Sequence, residues 1–370
     1  MKRAIKMGAM VGSTAALALT GLMPLVASNA GAASKKTVPA SVVAQAQQLA
    51  APFQSRPGLE VNTPITKTIP TGKKLDFITC SSPGCTVIAD RFVDAAHILG
   101  WSAKVIVAQP AAASIQAAYQ TAIRDKPQGL AVAAVSAEEA RSELATLQSM
   151  HIPVVTVQDP DVKFGPIIAT LYNHRSSLKL GKITADEMTA LGCGNGKTLY
   201  VNISGYLVLT FRLNAYEAEM KRLDPAMTYQ VLQLSGTASN FITPVVSAVR
   251  AAGNISCVYE ASDGVATGLP QALKAAGISP LPKIITDFAS NVTLQNIHSG
   301  LMTATDIGDA GSYGYIYIDT FARYFTHSSL TPDTNAFQNI WFVNSTNAPA
   351  TTGYSDVANL KARYTHLWGK

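Results

Sequence analysis

The sequence predicts an α/β protein made of two doubly wound lobes, each a parallel sheet covered by helices, joined by a hinge. Three observations carry this. From Lys74 onward, short apolar runs alternate with helical patterns. The runs are continuous rather than alternating, as strands buried on both faces require. The rhythm breaks near Tyr172–Arg175 and then restarts, and the 370-residue chain is long enough for two domains.

The elements follow in order. "SVVAQAQQLAAPFQ" (41–54) predicts a short helix, and the proline-punctuated stretch from Pro57 through Pro64 and Pro70 to Gly72 a connector. "LDFITCS" (75–81) predicts the first strand, and "IADRFVDAAHIL" a helix that Gly100 closes. Strands are expected at 103–109, 129–136 and 152–159, with helices at 114–125 and from Ser136 to Met150. Ser136 with Glu139 three residues on reads as a capping box. After the break come helix 178–191, strand 198–204, helix 211–223, strand 228–235 and helix 243–252. Strand 256–262, helix 265–277 and strand 283–290 complete the second run.

The first 32 residues read as a secretory signal. Lys2, Arg3 and Lys6 form a positive end, "AALALTGLMPLVA" (15–27) an apolar segment and "AGA" (30–32) a small-residue cleavage site. Cleavage near Ala32 is therefore expected, leaving a periplasmic or secreted protein. The formal charge of +6 shrinks with it. The leader removes three of 29 basic residues and none of 23 acidic ones, which leaves +3. So weak and scattered a charge excludes a nucleic-acid footprint.

"GCGNGKT" (192–198) has the ingredients of a phosphate-binding loop, but the spacing needs glycine at 191, where Leu191 stands. It also follows a helix and precedes a strand. Ligands in such folds bind at the other end of the sheet, beyond the C-terminal strand ends. The segment is expected to be a helix cap and a turn. The six histidines are dispersed, and no nucleophile elbow or zinc-binding motif occurs, so the reading is of a protein without catalytic residues, metal or cofactor.

Export puts Cys80, Cys85, Cys193 and Cys257 in an oxidising compartment. Cys80 and Cys85 share one loop. Cys193 precedes the first strand of the second lobe and Cys257 begins its third, and in a 2-1-3-4-5 sheet those strands are neighbours. Bridges 80–85 and 193–257 are expected; four buried thiols are the other reading.

From about Lys74 to Val343 the order of elements resembles the type I periplasmic solute-binding proteins of ABC transporters, the ribose-binding-protein-like group that shares its core with the lactose-repressor family. "IPVVTVQD" resembles their strand ending in a ligand-contacting pair, "FRLNAYEAEM" their arginine-bearing helix start, and "VYEASDGVATGLPQALKAAG" their N-D-x-x-A-x-G-A segment. The resemblance implies a fold of 74–171 plus 309–337 as first lobe and 172–308 plus 338–370 as second, after a signal (1–32) and an N-terminal helix and connector (33–73). It nominates as ligand contacts Ser81 and Ser82, Gln158 and Asp159, Arg212, Ser262 and Asp263, Ala289 and Ser290, and Asp306 and Asp309; Tyr206 offers a ring. Each has a plainer role open to it: Arg212 can pair with Glu217 or Glu219, and Asp263 can cap a helix.

The chain also departs from the family. Pro83-Gly84-Cys85 stands where sugar binders often carry two aromatic rings, and Ala289 replaces an aspartate that binds sugar hydroxyls. The implied function is an exported, monomeric substrate-binding protein that closes around a small polar solute, sugar-like above all, and delivers it to an ABC permease. The alternatives are a receptor that presents the solute to a membrane sensor, and an extracytoplasmic enzyme on the same fold. A regulator is disfavoured, because the signal occupies the place of DNA-binding helices.

Overall fold

Continuous apolar strands do form two covered sheets. The computed structural model describes residues 37–157, 164–351 and 357–370. Helix α1 (Ala40–Ala50) opens it, and the connector leads to β1 (Lys74–Thr79). The first lobe continues through α2 (Pro83–Ile98), β2 (Ser102–Val107), α3 (Ala112–Asp125), β3 (Gly129–Ala133), α4 (Arg141–Ser149), β4 (Val154–Val157) and β5 (Ile167–Leu171). Its sheet order is β2-β1-β3-β4-β5, with Phe77 in register beside Val105 and Ala131. Inner strands β1, β3 and β4 are buried almost throughout, whereas edge strand β2 is partly exposed. The doubly wound order is as expected.

The second lobe is built from α5 (His174–Ala190), β6 (Thr198–Ser204), α6 (Leu207–Leu223), β7 (Gln230–Ser235), α7 (Ile242–Ala252) and β8 (Cys257–Glu260). It continues with the short α8 (Asp263–Ala266), α9 (Leu269–Ala275), β9 (Lys283–Thr286), α10 (Asn291–His298) and β10 (Ala304–Asp306). Helix α11 (Ala310–Phe325) and the short α12 (Thr331–Thr334) return to the first lobe. Strand β11 (Phe342–Asn344) then completes the second sheet, and α13 (Leu360–Leu367) ends the chain. The second sheet runs β11-β10-β9-β8-β6-β7, parallel except for the β10–β11 pair.

Three local differences from the sequence reading have simple causes. Ser136 accepts from the N–H of Glu138 rather than pairing with Glu139, and it opens a 3₁₀ turn at Ala137–Ala140 before α4. The helix expected over 265–277 is split into α8 and α9, because Pro270 lacks the N–H that a continuous helix needs. Strand β5 was not in the predicted rhythm. It is a five-residue edge strand against β4, and so short a run carries little periodic signal.

The expected division of the chain needs correction at its C-terminal end. The segment 338–370 does not all belong to the second lobe. Leu360, Tyr364, Leu367 and Trp368 form one apolar stripe of α13, buried in the same cluster as Phe77, Phe92 and Tyr315 of the first lobe. Trp368 Nε1 donates to Asp319 of α11 at 2.7 Å, which fixes the helix there. At the other end α1 packs on α5, with Val42 and Leu49 against a second-lobe cluster. The connector after it buries Leu59, Val61, Ile65 and Ile69 in the first lobe.

Two glycines set how closely helices approach. A Cβ on Gly181 of α5 would lie 2.2 Å from the carbonyl oxygen of Arg212 in α6. One on Gly314 of α11 would lie 2.4 Å from the backbone nitrogen of Phe92 in α2. Among the described residues, no helix is long and apolar enough to cross a membrane.

Both bridges are present: Cys80–Cys85, and Cys193–Cys257, where Cys257 sits in register with Thr198 on neighbouring strands β6 and β8. The segment 192–198 is a helix C-cap and turn, as expected. Cys193 N–H returns to Met188 O, and Gly192, Gly194 and Gly196 all take positive φ. It lies at the N-terminal end of β6, remote from the cleft described next.

Candidate functional site

In each sheet the loops after the strands point towards the other lobe, and together they line one cleft of about 360 Å³. On the first-lobe side the loop after β1 supplies Cys80, Ser81 and Ser82, and helix α2 supplies Pro83 to Cys85 and Ile88. Ser82 is the N-cap of α2: its hydroxyl accepts from the N–H of Cys85 at 3.3 Å, a use at which serine excels. The bridge and the cap hold this loop in one shape. Ser81 is exposed at the rim and accepts from Gln109 Nε2 at 3.3 Å. Ala133, Ala134 and Val157 close the first-lobe wall.

On the second-lobe side α6 presents Val208, Leu209 and Arg212, with Tyr206 at its N-cap. The loop after β7 adds Gly236, Thr237 and Ala238, and Phe241 stands just before α7. A Cβ on Gly236 would lie 2.5 Å from Ser204 O and 3.2 Å from the Tyr206 ring, so glycine lets this loop lie flat against the wall. Ala261, Ser262 and Asp263 follow β8, Phe288 follows β9, and Tyr313 comes from α11.

Arg212 is 2% exposed at the floor of this cleft. Its Nη1 donates to Asp287 Oδ2, and its Nη2 donates to Gln338 Oε1 at 3.2 Å. Burial works against its charge, but the Asp287 carboxylate and nearby tyrosines hold its pKa above the ordinary arginine value. Neither Glu217 nor Glu219 is its partner; Glu219 is held by Lys182 and Arg222 instead. The Phe288 ring lies 5.7 Å from the guanidinium carbon. Phe288 takes φ +61°, a conformation bulky residues rarely adopt.

The nominated residues therefore separate. Ser81, Ser82, Tyr206, Arg212, Ser262 and Asp263 line the cleft. Asp263 Oδ2 is engaged by Ser290 N–H at 2.8 Å and by the Thr293 hydroxyl at 3.2 Å, so it ties the loop after β8 to the start of α10. Ala289, Ser290, Asp306 and Asp309 do not line it. Ala289 is fully buried in the second-lobe core, and Ser290 caps α10 through Thr293 N–H. Asp306 accepts from the N–H groups of Gly308 and Trp341, and burial first, then Asp287, pushes its pKa far up. Asp309 caps α11 through Ser312 N–H. Gln158 and Asp159 lie outside the described residues.

Sequence reasoning passed over Gln109, Phe241, Phe288 and Tyr313. Phe288 immediately precedes the nominated Ala289, and the loop position was legible. Its positive φ, which turns the ring into the cleft, was not. Asp287 was missed because nothing local marks it as the partner of an arginine 75 positions away.

This two-lobed arrangement has relatives. The model of the periplasmic binding protein domain matches residues 79–328. The chain belongs to the periplasmic binding protein family. Periplasmic binding proteins of the type I fold are also its neighbours among solved structures. One is a carbohydrate transporter from Acidothermus cellulolyticus 11B in complex with myo-inositol, with 18% identity and a TM-score of 0.63, covering 75% of this chain and 96% of that one. A second is the 5-methylthioribose transporter solute-binding protein from Thermotoga lettingae TMO, with 15% identity and a TM-score of 0.69, covering 82% and 100%. A third is a periplasmic ribose ABC transporter from Conexibacter woesei DSM 14684, with 16% identity and a TM-score of 0.61, covering 76% and 95%. No curated protein matches the chain.

Proposed function

We propose that this periplasmic binding protein is exported by its N-terminal signal, captures a small sugar-like solute between its lobes and delivers it to an ABC permease as a monomer. The observation that carries the reading is the cleft itself, to which both lobes contribute side chains. Among the crossings between them, 172–173, 307–309 and 335–341 are short segments able to act as hinges. A solute touching both walls gains contacts only when they approach, so its differential affinity favours closure.

In this reading the solute meets Ser81, Ser82 and Gln109 on one side and Tyr206, Thr237 and Ser262 on the other. Arg212 shapes the floor through Asp287 and Gln338. Its Nε is buried without a hydrogen-bond partner among the described residues. The relatives named above, which bind or transport myo-inositol, 5-methylthioribose and ribose, support a sugar-like solute.

Native mass spectrometry of protein purified from its own host tests the proposal. One retained small molecule per chain, lost on unfolding, is expected. A fully ligand-free protein that binds none of a panel of sugars, polyols and nucleosides would refute it.

A further inference from the structure

The cleft carries more carbon than a bare polyol requires. Resting on the reading of a solute held between the lobes, we propose that this solute bears an apolar group, an aryl or alkyl substituent on a hydroxylated body, and that Phe288 selects for it.

The walls facing one another are Ile88 and Val157 on the first lobe, and Ile203, Leu209, Phe241 and Phe288 on the second. The hydroxyl and amide side chains Ser81, Gln109 and Thr237 are the exposed ones, at the rim. Such a division suits a molecule with polar groups at the mouth and an apolar body within, because apolar surface gains by leaving water while hydroxyls need partners. The one arginine at the floor does not call for an anion. Its charge is met by Asp287.

Phe288 is the least expected part of this lining. A bulky residue at positive φ is strained, and strain persists only where neighbours enforce it. Here they do. Its N–H donates to Asp287 Oδ1 at 3.0 Å, and Gly308 packs against its backbone so closely that a Cβ there would lie 2.9 Å from the Phe288 nitrogen. The ring is only partly buried and reaches across the cleft; a Cβ on Gly84 of the first lobe would lie 3.9 Å from its edge. The strained backbone thus holds an aromatic face where both lobes meet the solute.

The test is calorimetry on the mature protein with D-ribose, D-glucose and D-galactose, their phenyl glycosides, and phenol. At least one phenyl glycoside should bind about tenfold or more tighter than its parent sugar, the gain expected for burying part of an aromatic ring. In Phe288→Asn, whose new side chain tolerates positive φ, the ratio of phenyl-glycoside affinity to parent-sugar affinity should fall to about one. Parent sugars that bind as tightly as their phenyl glycosides would overturn the apolar seat and leave capture between the lobes intact. Failure of every phenyl glycoside and of phenol to bind at about 10 mM would overturn it too. Capture between the lobes is judged separately, on the solute retained from the host. A phenyl advantage undiminished in Phe288→Asn would remove Phe288 from the role.

Discussion

Arg212 and Asp287 form a buried ion pair at the floor of the cleft, the arginine 2% and the aspartate 1% exposed. The pair joins α6 to the loop after β9, and Gln338 adds the crossing segment before β11. The guanidinium is therefore spent largely on holding the second lobe to the hinge. Its replacement acts on stability first.

Arg212→Ala leaves Asp287 buried and unpaired, so it should cost about 3–5 kcal/mol in urea unfolding. Asp287→Leu combined with Arg212→Met should cost less than the sum of the two single changes, because neither variant group then strands a charge. A loss below about 1 kcal/mol for Arg212→Ala, the range of exposed pairs, would contradict the buried pair.

Helix α5 can lie on α6 only because position 181 lacks a Cβ, which would overlap the Arg212 carbonyl. Gly181→Ala should therefore destabilise by about 1–3 kcal/mol or more, despite alanine's better helix propensity. Since α6 carries Leu209 and Arg212, solute affinity should fall with it. An unchanged unfolding midpoint would show that the helices can separate without cost.

The Cys193–Cys257 bridge spans 64 residues and pins the start of β6 to β8. Removing it by Cys193→Ala with Cys257→Ala should cost about 3–4 kcal/mol. The short Cys80–Cys85 ring should contribute less to stability and more to the shape of the cleft wall, so its loss should show first in solute affinity. Non-reducing peptide mapping checks both; four free thiols would refute them.

Glu60 sits where the N-terminal connector meets the hinge, bonded by the Tyr172 hydroxyl and by Asn339, which also donates to Asp309. Burial, then Asp309, raises its pKa to about 8 against the weaker opposing effect of these hydrogen bonds. The folded state thus holds a proton that the unfolded chain releases near 4.5. Its contribution to stability is full below that pH and is lost as pH rises through about 8. Unfolding measured from pH 5 to 9 should show stability falling with pH in wild type, and a shallower fall in Glu60→Gln. Equal slopes would remove Glu60 from the effect.

The parts of this protein legible in its sequence are those governed by local pattern. Runs such as "TLYVNIS" and "KIITDFAS" announce buried parallel strands, and their order is enough to place Cys193 beside Cys257. What escaped depends on distant partners. The stripe Leu360, Tyr364, Leu367 and Trp368 is visible as amphipathic, but nothing in it says which lobe it covers. The site was legible to the level of loops, since ligands gather beyond strand ends. Which side chain of a loop turns inward was not, because Phe288 is aimed by a backbone angle that Gly308 and Asp287 enforce from elsewhere.

Small-angle scattering on ligand-free protein, before and after adding back the solute retained from the host, tests the central claim most directly. Capture between closing lobes predicts a radius of gyration that shrinks in step with occupancy, reaching its limit at one solute per chain. Full occupancy with an unchanged radius, together with unchanged hydrogen exchange at Ser82, Leu209 and Phe288, would contradict it.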